Sequence, residues 1–136
     1  MITWNNLDKL TSYQELEKTE SVDLAAVMAG ENGAERVKNY SVPMEEGLAY
    51  NYAAKKVDDT VLAALEKLAE EAQLTEKFEA LYNGEVVNTG EKRLVLHHMT
   101  RGQLGDAVEA DGVDKRTFYV EQQKKIAEFA NKVHAG

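Results

Sequence analysis

Asp58-Asp59-Thr60-Val61-Leu62-Ala63-Ala64-Leu65-Glu66-Lys67-Leu68-Ala69-Glu70-Glu71-Ala72 is the most regular run in this 136-residue sequence. Val61, Leu65, Leu68 and Ala72 recur at three-to-four spacing, with Leu62 and Ala69 beside them. That period lays one apolar stripe along an α-helix. Glu66, Lys67, Glu70 and Glu71 fall mostly on the opposite, solvated side, and Asp58 or Asp59 supplies the cap. Upstream the period changes. Tyr40, Val42 and Met44 alternate with Ser41 and Pro43, and Leu48, Tyr50 and Tyr52 alternate with Ala49 and Asn51. Period-two alternation of aromatic and branched residues predicts two short strands, joined through Glu45-Glu46-Gly47 as a hairpin. Pro43, lacking an N–H, fits only at an edge or a bulge of that pair.

Further out the sequence is helical with interruptions. Thr11-Ser12 precede Tyr13-Gln14-Glu15-Leu16 in the spacing of a capping box between Ser12 and Glu15. A second short helix starts near Ser21 or Asp23 and is expected to bury Leu24, Val27 and Met28. Gly30 and Gly33 punctuate the chain, and Glu35 to Tyr40 adds a turn. Downstream, Thr75 opens a helix through Phe78, Leu81 and Tyr82 that stops at Asn83-Gly84. Residues 85–90 read as a loop. Glu91 to Gly102 reads as a helix ended by Gly102 and Gly105, and 106–114 as an exposed acidic loop. The last helix, about 115–133, aligns Phe118, Gln122, Ile126, Phe129 and Val133. The fold class is mainly α with a small antiparallel β-hairpin (α+β), organised as a single domain over residues 1–136.

Composition excludes several functions. The hydrophobic fraction of 43 % and charged fraction of 29 % are those of a globular protein with a core. No apolar run approaches the roughly 18 residues of a membrane span. Met1-Ile2-Thr3-Trp4-Asn5-Asn6 lacks the basic and apolar regions of a signal peptide. Without cysteine there is no disulfide, thiolate nucleophile or cysteine-ligated zinc. A cytoplasmic location fits these features, and it leaves the sequon Asn39-Tyr40-Ser41 without meaning. A net charge of −8 with no basic stripe argues against nucleic-acid partners.

No catalytic constellation emerges from the residues. His97 and His98 are adjacent, so on a helix they diverge by roughly 100° and do not share a metal. His134 lies in the last turn. The glycines match neither phosphate-loop nor dinucleotide spacing, and there is no nucleophile elbow. Tyr40, Tyr50 and Tyr52 are read as hairpin packing before they are read as a sugar platform.

One segment carries more information. Phe78-Glu79-Ala80-Leu81-Tyr82-Asn83-Gly84-Glu85-Val86-Val87-Asn88 is followed by Thr89-Gly90-Glu91-Lys92-Arg93-Leu94-Val95-Leu96-His97-His98-Met99-Thr100-Arg101. It resembles the glucose-6-phosphate isomerases, which carry Gly-Glu, then Asn, then Thr-Glu-x-Arg, Ala-Val-Leu-His and a nearby Arg. Gly84, Glu85, Asn88, Glu91, Arg93, Val95, Leu96, His97 and Arg101 fall on that pattern in register. Residues 35–42 are similar to the family's lead into a hairpin, 48–52 to its strand, 58–72 to its amphipathic helix, and 129–136 to the helix before its first catalytic domain. Leu94, His98-Met99-Thr100, Ala53-Ala54 and Asn51 depart from the pattern.

The resemblance implies an aldose–ketose isomerase that interconverts glucose 6-phosphate and fructose 6-phosphate without metal or organic cofactor. In such an enzyme a carboxylate moves a proton between C1 and C2 through an enediol. The residues that do so lie in two α/β sugar-isomerase domains beyond Gly136. No catalytic, cofactor-binding or metal residue is therefore carried over to this chain. The implied partners are the parent's catalytic domains and a second subunit of a homodimer. Gly84, Glu85, Asn88, Glu91, Arg93, His97 and Arg101 are expected to be structural, and Glu91 to face a helix N-terminus. The alternative is a stand-alone, non-catalytic interaction module descended from the family.

Overall fold

A computed structural model describes residues 1–102 and 105–136. The chain divides into two compact units, one formed by Asn5–Ala72 and the other by Met1–Trp4 with Gln73–Gly136. Among the described residues, no helix is long and apolar enough to cross a membrane.

The first unit holds α1 (Thr11–Leu16), α2 (Leu24–Ala29), α3 (Gly33–Asn39), β1 (Ser41–Pro43), β2 (Ala49–Asn51) and α4 (Asp59–Glu71). The amphipathic run around Leu65 is helical as expected, with Asp58 as cap. The Asp58 carboxylate accepts from the N–H of Val61 at 2.8 Å. α4 packs against α1, yet Leu65 stays exposed on its apolar side.

The start of α1 differs from the expected capping box. Its cap position is Leu10, and Ser12 lies buried within the first turn. The capping oxygen comes from Glu71, some sixty residues away in sequence. Glu71 accepts from the N–H groups of Thr11 (3.1 Å) and Ser12 (2.7 Å) and from the Ser12 hydroxyl. A carboxylate at the positive end of a helix satisfies donors that the helix cannot bond itself.

The Ser12 hydroxyl, with the Ser12 and Thr11 N–H groups, holds the Glu71 carboxyl below its ordinary value of 4.5. A depressed folded value means stability that is present above 4.5 and lost as pH falls through the folded value. Glu71→Gln should therefore be less stable than the parent at pH ~6 and lose less on acidification to pH ~3. Urea unfolding of both proteins at the two pH values checks this. Parallel losses would sever the link to Glu71.

α2 begins at Asp23, whose carboxylate accepts from Ala26 N–H. The expected burial along this helix is not seen. Leu24 is half-buried and Val27 and Met28 are exposed, while Val22, just before the helix, is buried. α2 has only six residues, less than two full turns in which to present a continuous face.

The hairpin forms as read. β1 and β2 pair antiparallel with Ser41 opposite Asn51, Val42 opposite Tyr50 and Pro43 opposite Ala49. Pro43 sits opposite Ala49 at the loop end of this two-stranded ladder, and as an edge-strand residue it need not donate. Tyr52 lies against Tyr40 (5.2 Å between centroids) and Tyr50 (6.3 Å). Asn51 occupies a position where the resembling family tends to aspartate, and its amide does two jobs. Nδ2 donates to Val37 O and Oδ1 accepts from Ala53 N, and an ionised aspartate has no donor for the first bond. Arg36 fixes the following loop through the carbonyls of Ala53, Lys55 and Val57 and lies 4.2 Å over the Tyr40 ring.

The second unit holds α5 (Leu74–Tyr82), β3 (Glu109–Ala110), β4 (Val113–Asp114) and α6 (Lys115–Ala135). The segment read as an exposed loop, 106–114, is instead a minimal hairpin, with Glu109 opposite Asp114 and Ala110 opposite Val113. Asp111 and Gly112 turn it with φ of 55° and 71°, the backbone that an Asp-Gly pair favours in a two-residue turn. Val108, just before it, is buried. α6 runs two residues past the expected end, and the Asp114 carboxylate caps it by accepting from Arg116 N–H, Thr117 N–H and the Thr117 hydroxyl.

The expected helix over Glu91 to Gly102 is absent from its described residues. Only His97–Arg101 coil, as a 3-10 turn. Asn88 Oδ1 captures the Glu91 N–H at 3.1 Å, a local side-chain bond that competes with helix formation. Lys92 then takes φ 54°, and Asn88 bridges to Arg93 through both backbone groups. Glu91 accordingly faces no helix N-terminus. Gln103 and Leu104, within the expected break, lie outside the described residues.

Candidate functional site

The segment singled out in the sequence enters the second unit at the end of α5. Gly84 follows the helix cap Asn83 with φ 75°. Its N–H bonds Leu81 O at 3.1 Å, and Glu85 N–H bonds Ala80 O at 2.9 Å. Together these bonds close α5 in a Schellman motif. A Cβ on Gly84 would stand 2.3 Å from Val108 Cγ1. The glycine thus meets both a left-handed backbone and a close approach from the chain before β3.

Asn88, Glu91 and Arg93 meet in the next turn. Asn88 Nδ2 donates to Glu91 Oε2 at 3.3 Å, and Arg93 Nη1 lies 3.7 Å from the same oxygen. Glu91 and Arg93 are both largely exposed. Such a pair contributes little, about 0–1 kcal/mol, so the turn rests mainly on its Asn88 bonds. Leu94, Val95 and Leu96 continue half-buried.

His97 and Arg101, at the two ends of the 3-10 turn, are exposed, while Met99 between them is fully buried. His97, His98 and Arg101 border a shallow groove with Tyr82 and Gly102. The two histidines diverge, as adjacency demands. His98 turns inward, its ring stacked 4.9 Å from Tyr82 and its Nε2 3.0 Å from Tyr82 O. A carbonyl only accepts, so Nε2 carries the proton. Gly84, Glu85, Asn88, Glu91, Arg93, His97 and Arg101 therefore spread along a helix stop, a turn and a groove edge.

Arg116 was not singled out in the sequence. It is 5 % exposed, donates to Asp106 O through Nε and to Tyr82 O through Nη2 (3.1 Å), and lies over the Tyr82 ring. Tyr82 O thus accepts from both His98 and Arg116. A hint was available: a cation in the first turn of a helix opposes the macrodipole, so a tertiary task was the better explanation of its place. Nδ1 of His98 and Nη1 of Arg116 are buried and find no partner among the described residues. Among the described residues no group of three or more histidines and carboxylates is placed to hold a metal.

Comparison with known proteins adds to this geometry. The model of the family described as phosphoglucose isomerase matches residues 51–136. The chain belongs to that family. The glucose-6-phosphate isomerase of Treponema denticola is 51 % identical over 138 aligned residues, covering 98 % of this chain and 26 % of that protein. The glucose-6-phosphate isomerase of Treponema pallidum is 40 % identical, covering 99 % of this chain and 26 % of its own length. That of Borreliella burgdorferi is 36 % identical, covering 100 % and 25 %. This phosphoglucose isomerase family chain thus spans about a quarter of the length of the curated relatives it matches. The family match begins at the last residue of the hairpin's second strand and takes in α4, the Gly84 stop, the Asn88 turn and all of α6.

Proposed function

We propose that these 136 residues form the non-catalytic N-terminal part of an enzyme that interconverts glucose 6-phosphate and fructose 6-phosphate in glycolysis and gluconeogenesis. The observation that carries this reading is the 51 % identity to a glucose-6-phosphate isomerase across nearly the whole chain, which spans only about a quarter of that relative. Aldose–ketose exchange needs a base beside C1 and C2 and electrostatic support for the enediolate. In this reading those groups come from the three quarters of the relatives that this chain does not match.

What the chain supplies is a scaffold that acts as one N-terminal domain. Gly84 and Glu85 stop α5, Asn88, Glu91 and Arg93 build a turn, and His97 and Arg101 flank a buried methionine. These local roles support a structural task for the shared motif. The parent works as a homodimer in the cytoplasm, where its doubly charged sugar-phosphate substrates are retained, with no cofactor, nucleic acid or membrane as partner.

The test is a coupled assay of fructose 6-phosphate isomerisation on the 136-residue chain and on the full-length gene product. Turnover is expected from the full-length protein and none from the chain. Turnover by the chain alone would overturn the non-catalytic assignment, and an inactive full-length protein would overturn the parent activity.

A further inference from the structure

α6 begins covered and ends bare. Tyr119 and Gln122 are half-buried, and from Gln123 onward every residue except Ala130 is exposed. That outer portion, the thirteen helical residues from Gln123 to Ala135, extends about 20 Å at 1.5 Å per residue. It carries Ile126, Phe129 and Val133, which are 68 %, 70 % and 63 % exposed. With Tyr119 and Gln122 they repeat at alternating spacings of three and four, the pattern of a seam that packs against another helix. Single exposed apolar residues are ordinary, but three in register on one stripe mark a contact surface.

The flanks of the seam select what fits it. Lys125 and Lys132 each precede a seam residue on one side, and Gln123 and Ala130 lie on the other, so no carboxylate borders the stripe. α6 as a whole carries Lys115, Arg116, Lys124, Lys125 and Lys132 against Glu121 and Glu128, in a chain of net charge −8. A second α6 laid antiparallel would bring Lys125 opposite Lys132 of its copy, and laid parallel would set the lysines opposite uncharged side chains. Neither arrangement gains from charge, and the first is repulsive. A complementary surface is an apolar helix face bordered by aspartate or glutamate.

We propose that this seam is the docking face for such an acidic-bordered helix, supplied by the part of the same polypeptide that the relatives have and this chain does not match. This rests on the reading of the chain as part of a longer isomerase. The relatives hold about three quarters of their length outside the match, so the occupant is tethered and needs little intrinsic affinity.

The experiment places a photoreactive p-benzoylphenylalanine at position 129 of the full-length gene product and maps the cross-links by mass spectrometry. Isomerase turnover is measured on the same preparation. The expected product is an intramolecular link to a helical peptide beyond residue 136 that is apolar and bordered by Asp or Glu. Lys125→Glu with Lys132→Glu should lower its yield several-fold and leave the 1–136 scaffold folded, since both lysines are exposed. Links to α6 of a second copy, or no link in an active enzyme, overturn the proposal while leaving the isomerase reading intact. A downstream link in a protein without turnover supports the docking face and defeats the isomerase reading. A yield indifferent to the charge reversal overturns the acidic border.

Discussion

Gly84→Ala is expected to destabilise the unit formed by residues 1–4 and 73–136 by about 2–5 kcal/mol. Two costs add. Gly84 sits at φ 75°, where an L-residue is disfavoured by about 1–2 kcal/mol. Its new Cβ would stand 2.3 Å from Val108 Cγ1 and 2.9 Å from Cγ2. Val108 is itself only 4 % exposed, so relief requires movement of a packed side chain, at about 1–3 kcal/mol. For a unit of this size the melting temperature should fall by on the order of 10 °C or more. The Schellman bonds of Gly84 and Glu85 to Leu81 and Ala80 should lose hydrogen-exchange protection first. Val108→Ala removes both clashing methyls, so the double variant should be more stable than the sum of the two single losses implies. Simple additivity would show that the approach to Val108 is not the source of strain, and an unchanged melting temperature would reject both costs.

Met99→Ala should cost about 2–5 kcal/mol, the usual range for deleting a buried methionine side chain where the surroundings cannot collapse. Met99 is 0 % exposed and its N–H closes the 3-10 turn onto Leu96 O at 3.0 Å. The turn is also tied to Tyr82 through His98. Thr100 bonds His97 within it, and Gln123 of α6 donates to Thr100 O. Loss of the side chain should therefore loosen His97 to Arg101 and free the His98 ring from Tyr82, which NMR line shapes of the histidine would report. Met99→Leu, similar in volume, should stay within ~1.5 kcal/mol of the parent. A loss under ~1 kcal/mol for the alanine variant would show that this side chain does not anchor the turn.

The elements that could be read from the sequence are those whose signal is local and repeated. Val61, Leu65 and Leu68 recur over about two turns, and Asp58 caps them as its position implies. The hairpin announced itself by alternation on both sides of Glu45-Glu46-Gly47, and the Asn83-Gly84 stop by the one residue type that accepts its backbone. Where the reading failed, a short-range bond or a remote partner had won. The residues from Glu91 onward tolerate a helix, but Asn88 removes the Glu91 N–H before a first turn can close. Ser12 resembled a cap because of Glu15 three residues on, yet the capping oxygen arrives from Glu71. The shared motif was legible as a set of residues and not as an arrangement, and no spacing shows that His98 and Arg116, both outside that motif, meet on one carbonyl.

By itself the sequence determined the predominance of helix, the position of the hairpin, the cap of α4 and the stop of α5, and the resemblance that the comparisons then established. Periodicity and backbone-specific residues decide those features, and both act over a few residues. The tertiary structure alone decided that Arg116 is buried, that Glu71 caps α1, and that the shared motif is divided between a turn and a groove. It also showed that the outer half of α6 is bare. Those outcomes depend on which groups meet across tens of residues, and a hydrogen bond or an uncovered apolar face is a property of that meeting, which no local pattern encodes.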